Sequence, residues 1–332
     1  MVERNGVVGF FLHPASALHD TGWNHPEHQG RLRALASTVG KDLLTLHGHV
    51  EQQESPDATI DDLALIHTRA HVKHIRERCQ AADAQQKVIP VESDTRVSPS
   101  SWDAALGSVG GALAAVDAVA KGRLRAAFVA TRPPGHHATP EMAMGFCLFN
   151  NAAVAARHLQ ATGQAERVLI VDWDVHHGNG TQDAFYEDPS VFYFSVHQAP
   201  HYPGTGDPAD TGGNEGRGYT LNVALPAGTP RDVYRHHFTD GLQQALEIAP
   251  PDFILISAGY DALKGDPLGG QLLEPHDFWE MTGEVMEAAR THCGGKVVAV
   301  LEGGYDPPRL GQAALATVRA LAGLEAVQPQ GV

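Results

Sequence analysis

Residues 168–182 read VLIVDWDVHHGNGTQ: an uninterrupted aliphatic run that passes straight into Asp172, Asp174 and His176. An apolar run of this length with no polar alternation describes a strand buried on both faces, as in a parallel sheet. Residues i and i+2 of extended chain share a face. Asp174 and His176 are therefore expected to project together from the strand's carboxyl end as two metal ligands. A carboxylate and an imidazole suit zinc or another borderline divalent ion. A solvated Asp/His turn is the plain alternative, but it leaves unexplained why three ionisable groups close a fully apolar strand.

Further strand candidates lie on either side, at Val7–Leu12, Ala126–Ala130, Val191–Val196, Tyr219–Ala224, Asp252–Ser257 and Val297–Leu301. Helical patterns separate them, beginning at Ser101–Lys121 and continuing with Asn150–Thr162, Arg231–Ile248, Asp277–Thr291 and Arg309–Ala322; Gly294–Gly295 ends the fourth. This β-then-α order predicts a single α/β domain. Its central sheet is mostly parallel, of about eight strands, with helices on both faces. No repeat or linker divides the chain, so one domain is assigned to 1–325 and a short tail to 326–332. Pro and Gly cluster just after strands, at 132–135, 203–206, 212–218, 265–270 and 303–304. In open α/β sheets the ligand crevice lies beyond the carboxyl ends of the strands, so these loops are where chemistry belongs.

Composition narrows the chemistry. The 332 residues include 24 Lys+Arg against 39 Asp+Glu, a formal charge of −15. That is not the electrostatic footprint of a nucleic-acid or anionic-membrane binder; it attracts cations such as lysine side chains and polyamines. Histidine is abundant, at 20 residues, and cysteine is scarce, at Cys79, Cys147 and Cys293. No Cys-x-x-Cys pair exists, so a reducing, cytoplasmic setting is expected and any metal site must use His, Asp and Glu. The opening MVERNGVVGFFLHP lacks the apolar core of a secretory signal, and no apolar run approaches about 18 residues, so no membrane span is expected.

Three more segments carry ionisable groups at strand ends. In FILISAGYDALKGDPLGG, 253–270, Asp261 follows an apolar strand and offers a third ligand. Two Asp and one His leave a divalent ion near neutral with an open position, which is the pattern of a catalytic site. In TRPPGHHA, 131–138, two prolines stiffen the loop that presents His136 and His137, a pair suited to proton transfer beside an activated water. In LEGGYD, 301–306, Gly303 and Gly304 present Tyr305, whose phenol can donate to a developing oxyanion. His67 and His71 have the i, i+4 spacing of a helical zinc pair but no His-Glu-x-x-His context, so they are read as a solvated helix face, as are His236, His237 and His276.

Taken together, these segments resemble the zinc-dependent histone deacetylase family of the arginase/deacetylase superfamily. The resemblance runs from FFLHPASALHDTGWNHPEHQGRLRAL at 10–35 to LEGGYD, and DWDVHHGNG with Trp173 and Asn179 looks like the class II branch. It implies the arginase/deacetylase fold and one catalytic Zn2+ bound by Asp174, His176 and Asp261. It makes His136 and His137 the paired active-site histidines, with Asp172 and Asn179 as their partners. Tyr305 then matches the tyrosine that polarises the substrate carbonyl. Because Asn179 is neutral, His137 is read as the general base, while Asp172 favours a charged His136. A structural potassium ion is implied near Asp172, Asp174, His176, Ser195 and Val196. Phe146 and Tyr202 match the tunnel walls, although the second wall often carries Phe in the family. Arg31 falls near an acetate exit path.

The function so implied is metal-dependent hydrolysis of the acyl amide of lysine in a peptide or protein. The alternative is deacetylation of an acetylated polyamine or another small amide. Polyamine-selective relatives place a Glu after the GDP of their strand-end loop, where this chain has Leu268, which favours acyl-lysine. Asp94 could meet either a substrate backbone amide or a distant ammonium. A non-catalytic acyl-lysine-binding protein would be expected to lose a ligand or the tyrosine, and both are kept. A binuclear manganese ureohydrolase needs an acid where this chain has Gly178. A homo-oligomer is left open, as is zinc against iron.

Overall fold

A computed structural model describes residues 6–327; of the expected tail, 328–332 lie outside the described residues. The strands are β1 (Val8–Phe11), β2 (Val50–Gln53), β3 (Ile89–Pro90), β4 (Arg96–Val97), β5 (Ala126–Val129), β6 (Val168–Asp172), β7 (Val191–Gln198), β8 (Thr220–Leu225), β9 (Phe253–Ala258) and β10 (Val297–Leu301). The α-helices are α1 (Gly30–Lys41), α2 (Leu43–Leu46), α3 (Ile60–Leu63), α4 (Arg69–Gln85), α5 (Ser101–Ala120), α6 (Asn151–Ala161), α7 (Asn179–Phe185), α8 (Arg231–Ile248), α9 (Pro275–Cys293) and α10 (Pro307–Leu321). Eight strands form one sheet in the order β2-β1-β5-β10-β9-β6-β7-β8, and every pairing in it is parallel. The small β3–β4 pair is antiparallel and separate.

The core explains why the strands read as continuous apolar runs. β5, β6, β7, β9 and β10 are buried along their whole length. One layer of side chains, including Phe128, Trp173, Phe194 and Phe238, packs on one face, and a second, including Val129, Ile170, Tyr193 and Leu255, packs on the other. Each such side chain contributes roughly 1.5–3 kcal/mol on burial. Local chemistry sets the helix ends: the Asn150 side chain accepts the Ala153 N–H, Asp306 accepts that of Arg309, and Gly294 closes α9 at φ +63°.

One element departs from expectation: the strand β2, VEQQ, is an edge strand with two of four residues exposed and no apolar run. Helix α5 contains no uninterrupted apolar run of about 18 residues but is long and apolar enough by composition to cross a membrane, and 72% of its most apolar window is buried inside the fold. It is the central core helix.

Candidate active site

Strand order decides what meets what. β5, β10, β9 and β6 are consecutive neighbours in the sheet. They are followed respectively by the His136–His137 loop, the Tyr305 loop, the Asp261 loop and the Asp172–His176 segment. Four segments spread over 170 residues of sequence are thereby set at strand tips that together span about 15 Å.

Asp174, His176 and Asp261 are buried and each offers a ligand atom, all within 4.8 Å of one another. The His176 Nδ1 lies 3.0 Å from Asp174 Oδ1 and 3.2 Å from Asp261 Oδ2. The remaining carboxylate oxygens are aimed by backbone donors: Gly303 N–H to Asp174 Oδ2 at 2.8 Å, and Val175 N–H to Asp261 Oδ1 at 2.8 Å. Burial and the Asp174 charge raise Asp261 above the usual carboxylate range. Burial opposes a charge on His176, but hydrogen bonds to Asp174 and Asp261 outweigh it and lift the imidazole to about 10. Two buried carboxylates forced together create a strong demand for positive charge, and the donor set suits a divalent cation with an open coordination position. Glycines keep the cradle clear. A Cβ on Gly259 would sit 2.0 Å from Asp174 Oδ2, and one on Gly303 would sit 2.1 Å from Asp261 Oδ2. At Gly178 a Cβ would stand 2.3 Å from Asp172 Oδ2 and 2.5 Å from the Tyr193 hydroxyl, so no acid fits there to bind a second ion.

The two histidines are held in different states. His136 Nδ1 lies 3.1 Å from Asp172 Oδ2, which also accepts the Tyr193 hydroxyl at 3.0 Å. Burial would lower His136, yet the carboxylates of Asp174 and Asp172 raise it to about 10. A cation at the Asp174 site would cancel part of that field and leave Asp172 as the partner. His137 Nδ1 donates to Asn179 Oδ1 at 2.8 Å, an orientation fixed by the Asn179 amide donating to the His137 carbonyl and facing Met144 Sδ. Burial, then the neighbouring His136 and His176, depress His137 well below its usual value, so it is neutral with Nε2 free. Gly145 allows this approach: a Cβ there would lie 2.3 Å from the His137 ring.

Tyr305 is held by Arg31, which the resemblance placed only near an acetate exit path, and by groups that sequence reasoning did not single out. Asp266 accepts the Tyr305 and Asp306 N–H groups at 2.6 and 3.2 Å and the Leu268 N–H at 2.9 Å. Arg31 is fully buried, donates to the Gly304 and Glu302 carbonyls, and lies 5.0 Å from the Tyr305 ring centre. Glu27 pairs with Arg31 at 3.0 Å and Arg132 at 2.6 Å, and Arg132 donates to the His19 carbonyl. Glu302 accepts the Gly135 and His136 N–H groups, tying the histidine loop to the end of β10. The available signal was a charged residue set directly against an apolar strand, as in VVAVLE, or inside an otherwise singled-out motif, as with Arg132 and Asp266.

The wall residues also converge. Phe146 meets Tyr305 edge-on at 5.9 Å, and Tyr202 meets His137 edge-on at 5.1 Å. The Tyr202 hydroxyl donates to Asp94 at 2.8 Å. The Leu268 carbonyl accepts from His201, whose ring stacks on His176 at 4.9 Å. Ser195 pairs with Asp172 in the β6–β7 register, while the Val196 carbonyl, next along β7, accepts the Tyr234 hydroxyl. His67 and His71 are not a solvated face. Both are buried, and they hold the loop carrying Phe146 through the Thr139 and Leu148 carbonyls and the Asn150 N–H.

Comparison with known proteins adds to this geometry. The histone deacetylase domain matches residues 25–321. The chain belongs to the histone deacetylase family. It is 39% identical over 310 residues to a chloroplastic histone deacetylase 10 of Oryza sativa subsp. japonica, covering 90% of this chain and 70% of that one. It is 36% identical to a histone deacetylase-like amidohydrolase of Pseudomonas aeruginosa (96% and 80% covered) and 36% identical to a probable deacetylase of Archaeoglobus fulgidus (90% and 81% covered). The crystal structure of the HDA15 HD domain superposes with a TM-score of 0.89 at 36% identity, covering 98% of this chain and 90% of that chain. The chain is thus a hydrolytic deacetylase with the fold expected from its strands, and its substrates are acetylated amines.

Proposed function

We propose that this deacetylase removes acyl groups from the ε-amine of lysine in a peptide or protein, at one zinc ion held by Asp174, His176 and Asp261. The observation that carries the reading is the meeting of these three buried side chains with two histidines, one bonded to the Asp172 carboxylate and the other to the Asn179 amide. When bound there, zinc supplies Lewis-acid polarisation of the amide carbonyl and acidification of water towards a pKa of about 7.

The side chains do the rest. His137, neutral and with its Nδ1 proton committed to Asn179, offers Nε2 to take a proton from the attacking water and to return it to the leaving amine. His136 keeps its proton through Asp172 and faces the developing negative charge as an imidazolium. Tyr305 donates its phenol to the oxyanion, with the phenol kept protonated by burial. Phe146 and Tyr202 flank the alkyl stem of the lysine and exclude water from it. A potassium ion beside Asp172, Asp174, His176, Ser195 and Val196 is part of the same proposal, as is a reducing, cytoplasmic setting; all three cysteines are buried.

Acetylated polyamine is the second reading, favoured by the −15 charge and by the carboxylate of Asp94 at the tunnel mouth. Leu268 opposes it, since it stands where the resemblance gives polyamine-selective relatives a Glu to hold a remote ammonium. The deciding experiment measures kcat/KM side by side on an acetyl-lysine peptide and on acetylspermidine. The peptide is expected to be preferred, and a preference for acetylspermidine above about 10-fold, worth roughly 1.4 kcal/mol, overturns the ranking.

A further inference from the structure

The tunnel mouth contains a hydrogen bond that hydrolysis itself does not require. Asp94 joins three loops. Its Oδ2 accepts the Gly145 N–H at 3.2 Å and the Tyr202 hydroxyl at 2.8 Å, and its Oδ1 accepts the Thr95 hydroxyl at 2.9 Å. The Thr95 hydroxyl oxygen in turn accepts the Phe146 N–H at 3.1 Å. Gly145 and Phe146 both sit at positive φ, +56° and +68°, so residues 94 and 95 pin a turn that L side chains rarely adopt. Each oxygen of an ionised carboxylate offers about two acceptor positions. Gly145 and Tyr202 fill both on Oδ2, so a further donor reaches that oxygen only by displacing one of them, while Thr95 takes one on Oδ1.

The three donors are not equivalent. Gly145 donates from the backbone of the pinned turn, and Thr95 is the chain neighbour of Asp94. Tyr202 reaches Asp94 from the other side of the mouth, on the loop after β7, and is 38% exposed. Its phenol is the donor that can leave and be rehydrated. An incoming substrate that brings an N–H or an ammonium to Asp94 competes with it for the same oxygen.

We propose that Tyr202 is a specificity-determining residue that restrains Asp94: its hydroxyl occupies the acceptor that a donor on the acyl-lysine substrate has to take. The proposal rests on the deacetylase reading above. Substrate binding exchanges one hydrogen bond to the carboxylate for another, so only the difference between them counts, a factor of about three to ten in KM. Tyr202→Phe keeps the ring against His137 and removes only the competing donor.

The experiment measures KM and kcat for the wild type, Tyr202→Phe, Asp94→Ala and the double variant. Two substrates are used: an acetyl-lysine peptide, which carries backbone donors, and N-butylacetamide, whose one N–H belongs to the scissile amide. In Tyr202→Phe the KM for the peptide is expected to fall about three- to tenfold while that for N-butylacetamide moves by less than twofold. In the Asp94→Ala background the same substitution is expected to give no fall, since coupled residues are non-additive in such a cycle. A fall of equal size for both substrates, a fall that persists without Asp94, or a peptide KM that stays or rises overturns the proposal. Absence of peptide turnover by the wild type is a different result and counts against the deacetylase reading itself.

Discussion

Replacing Asn179 by Asp puts a carboxylate where His137 now meets an amide oxygen, at 2.8 Å from Nδ1. In the proposed mechanism His137 is the base because it is neutral; burial and the charges of His136 and His176 keep it well below its usual value. The charge centres of a carboxylate and an imidazolium so bonded lie about 4 Å apart, where an effective dielectric of about 20 gives roughly 4 kcal/mol of attraction. At about 1.4 kcal/mol per unit that is an upper bound near three units, and measured effects of such neighbours run from about one to three. The sign is fixed. A stabilised imidazolium needs a higher pH to release its proton, so the acid limb of kcat/KM on an acetyl-lysine peptide moves up by about one to three pH units. The plateau above that limb is retained. The assay is the pH profile of both proteins under identical zinc loading. An acid limb that superimposes on the wild type, or moves down, refutes the assignment of His137 as the neutral base.

Other consequences follow from the same geometry. Tyr305→Phe removes one oxyanion donor and is expected to lower kcat by about 10²–10³, with zinc content, read by elemental analysis, unchanged. Gly259→Ala drives a Cβ to 2.0 Å from Asp174 Oδ2 and is expected to abolish stoichiometric zinc binding while the circular dichroism spectrum stays native. Glu27 is fully buried, yet Arg132 and Arg31 hold it at about 2, below its usual 4.5. Its stabilisation is therefore complete above pH 4.5 and is lost as pH falls from 4.5 towards 2, amounting to at most about 3 kcal/mol. Denaturant titrations are expected to show Glu27→Gln less stable at pH 7, with the gap to wild type narrowing below pH 4.5; a gap independent of pH contradicts the assignment.

The Asp174, His176 and Asp261 cluster and the histidine pair were legible because each lies just beyond a run of buried apolar residues. The central strands were legible for the same reason. The edge strand β2 was not, since VEQQ has three polar residues of four and its middle pair, Glu51 and Gln52, is exposed. His67 and His71 misled because i, i+4 spacing presumes one helix, whereas α4 begins at Arg69 and carries only His71; the loop from Thr139 to Asn150 covers both. Glu27, Arg31, Arg132, Asp266 and Glu302 hold the active-site loops through backbone groups far away in sequence. A charge beside an apolar strand or inside a motif marks such residues locally, but nothing local says which distant backbone groups they reach. The Tyr202–Asp94 contact joins residues 108 apart and needed the fold to become visible.

The central claim is that one zinc ion on Asp174, His176 and Asp261 drives deacylation of lysine. Its most direct test is to strip the protein with a chelator, add zinc back in measured amounts, and follow hydrolysis of an acetyl-lysine peptide. Activity is expected to vanish on stripping and to return in proportion to zinc, reaching full rate at one ion per chain. Full activity in the stripped protein, or none after one equivalent is shown to bind, contradicts the account.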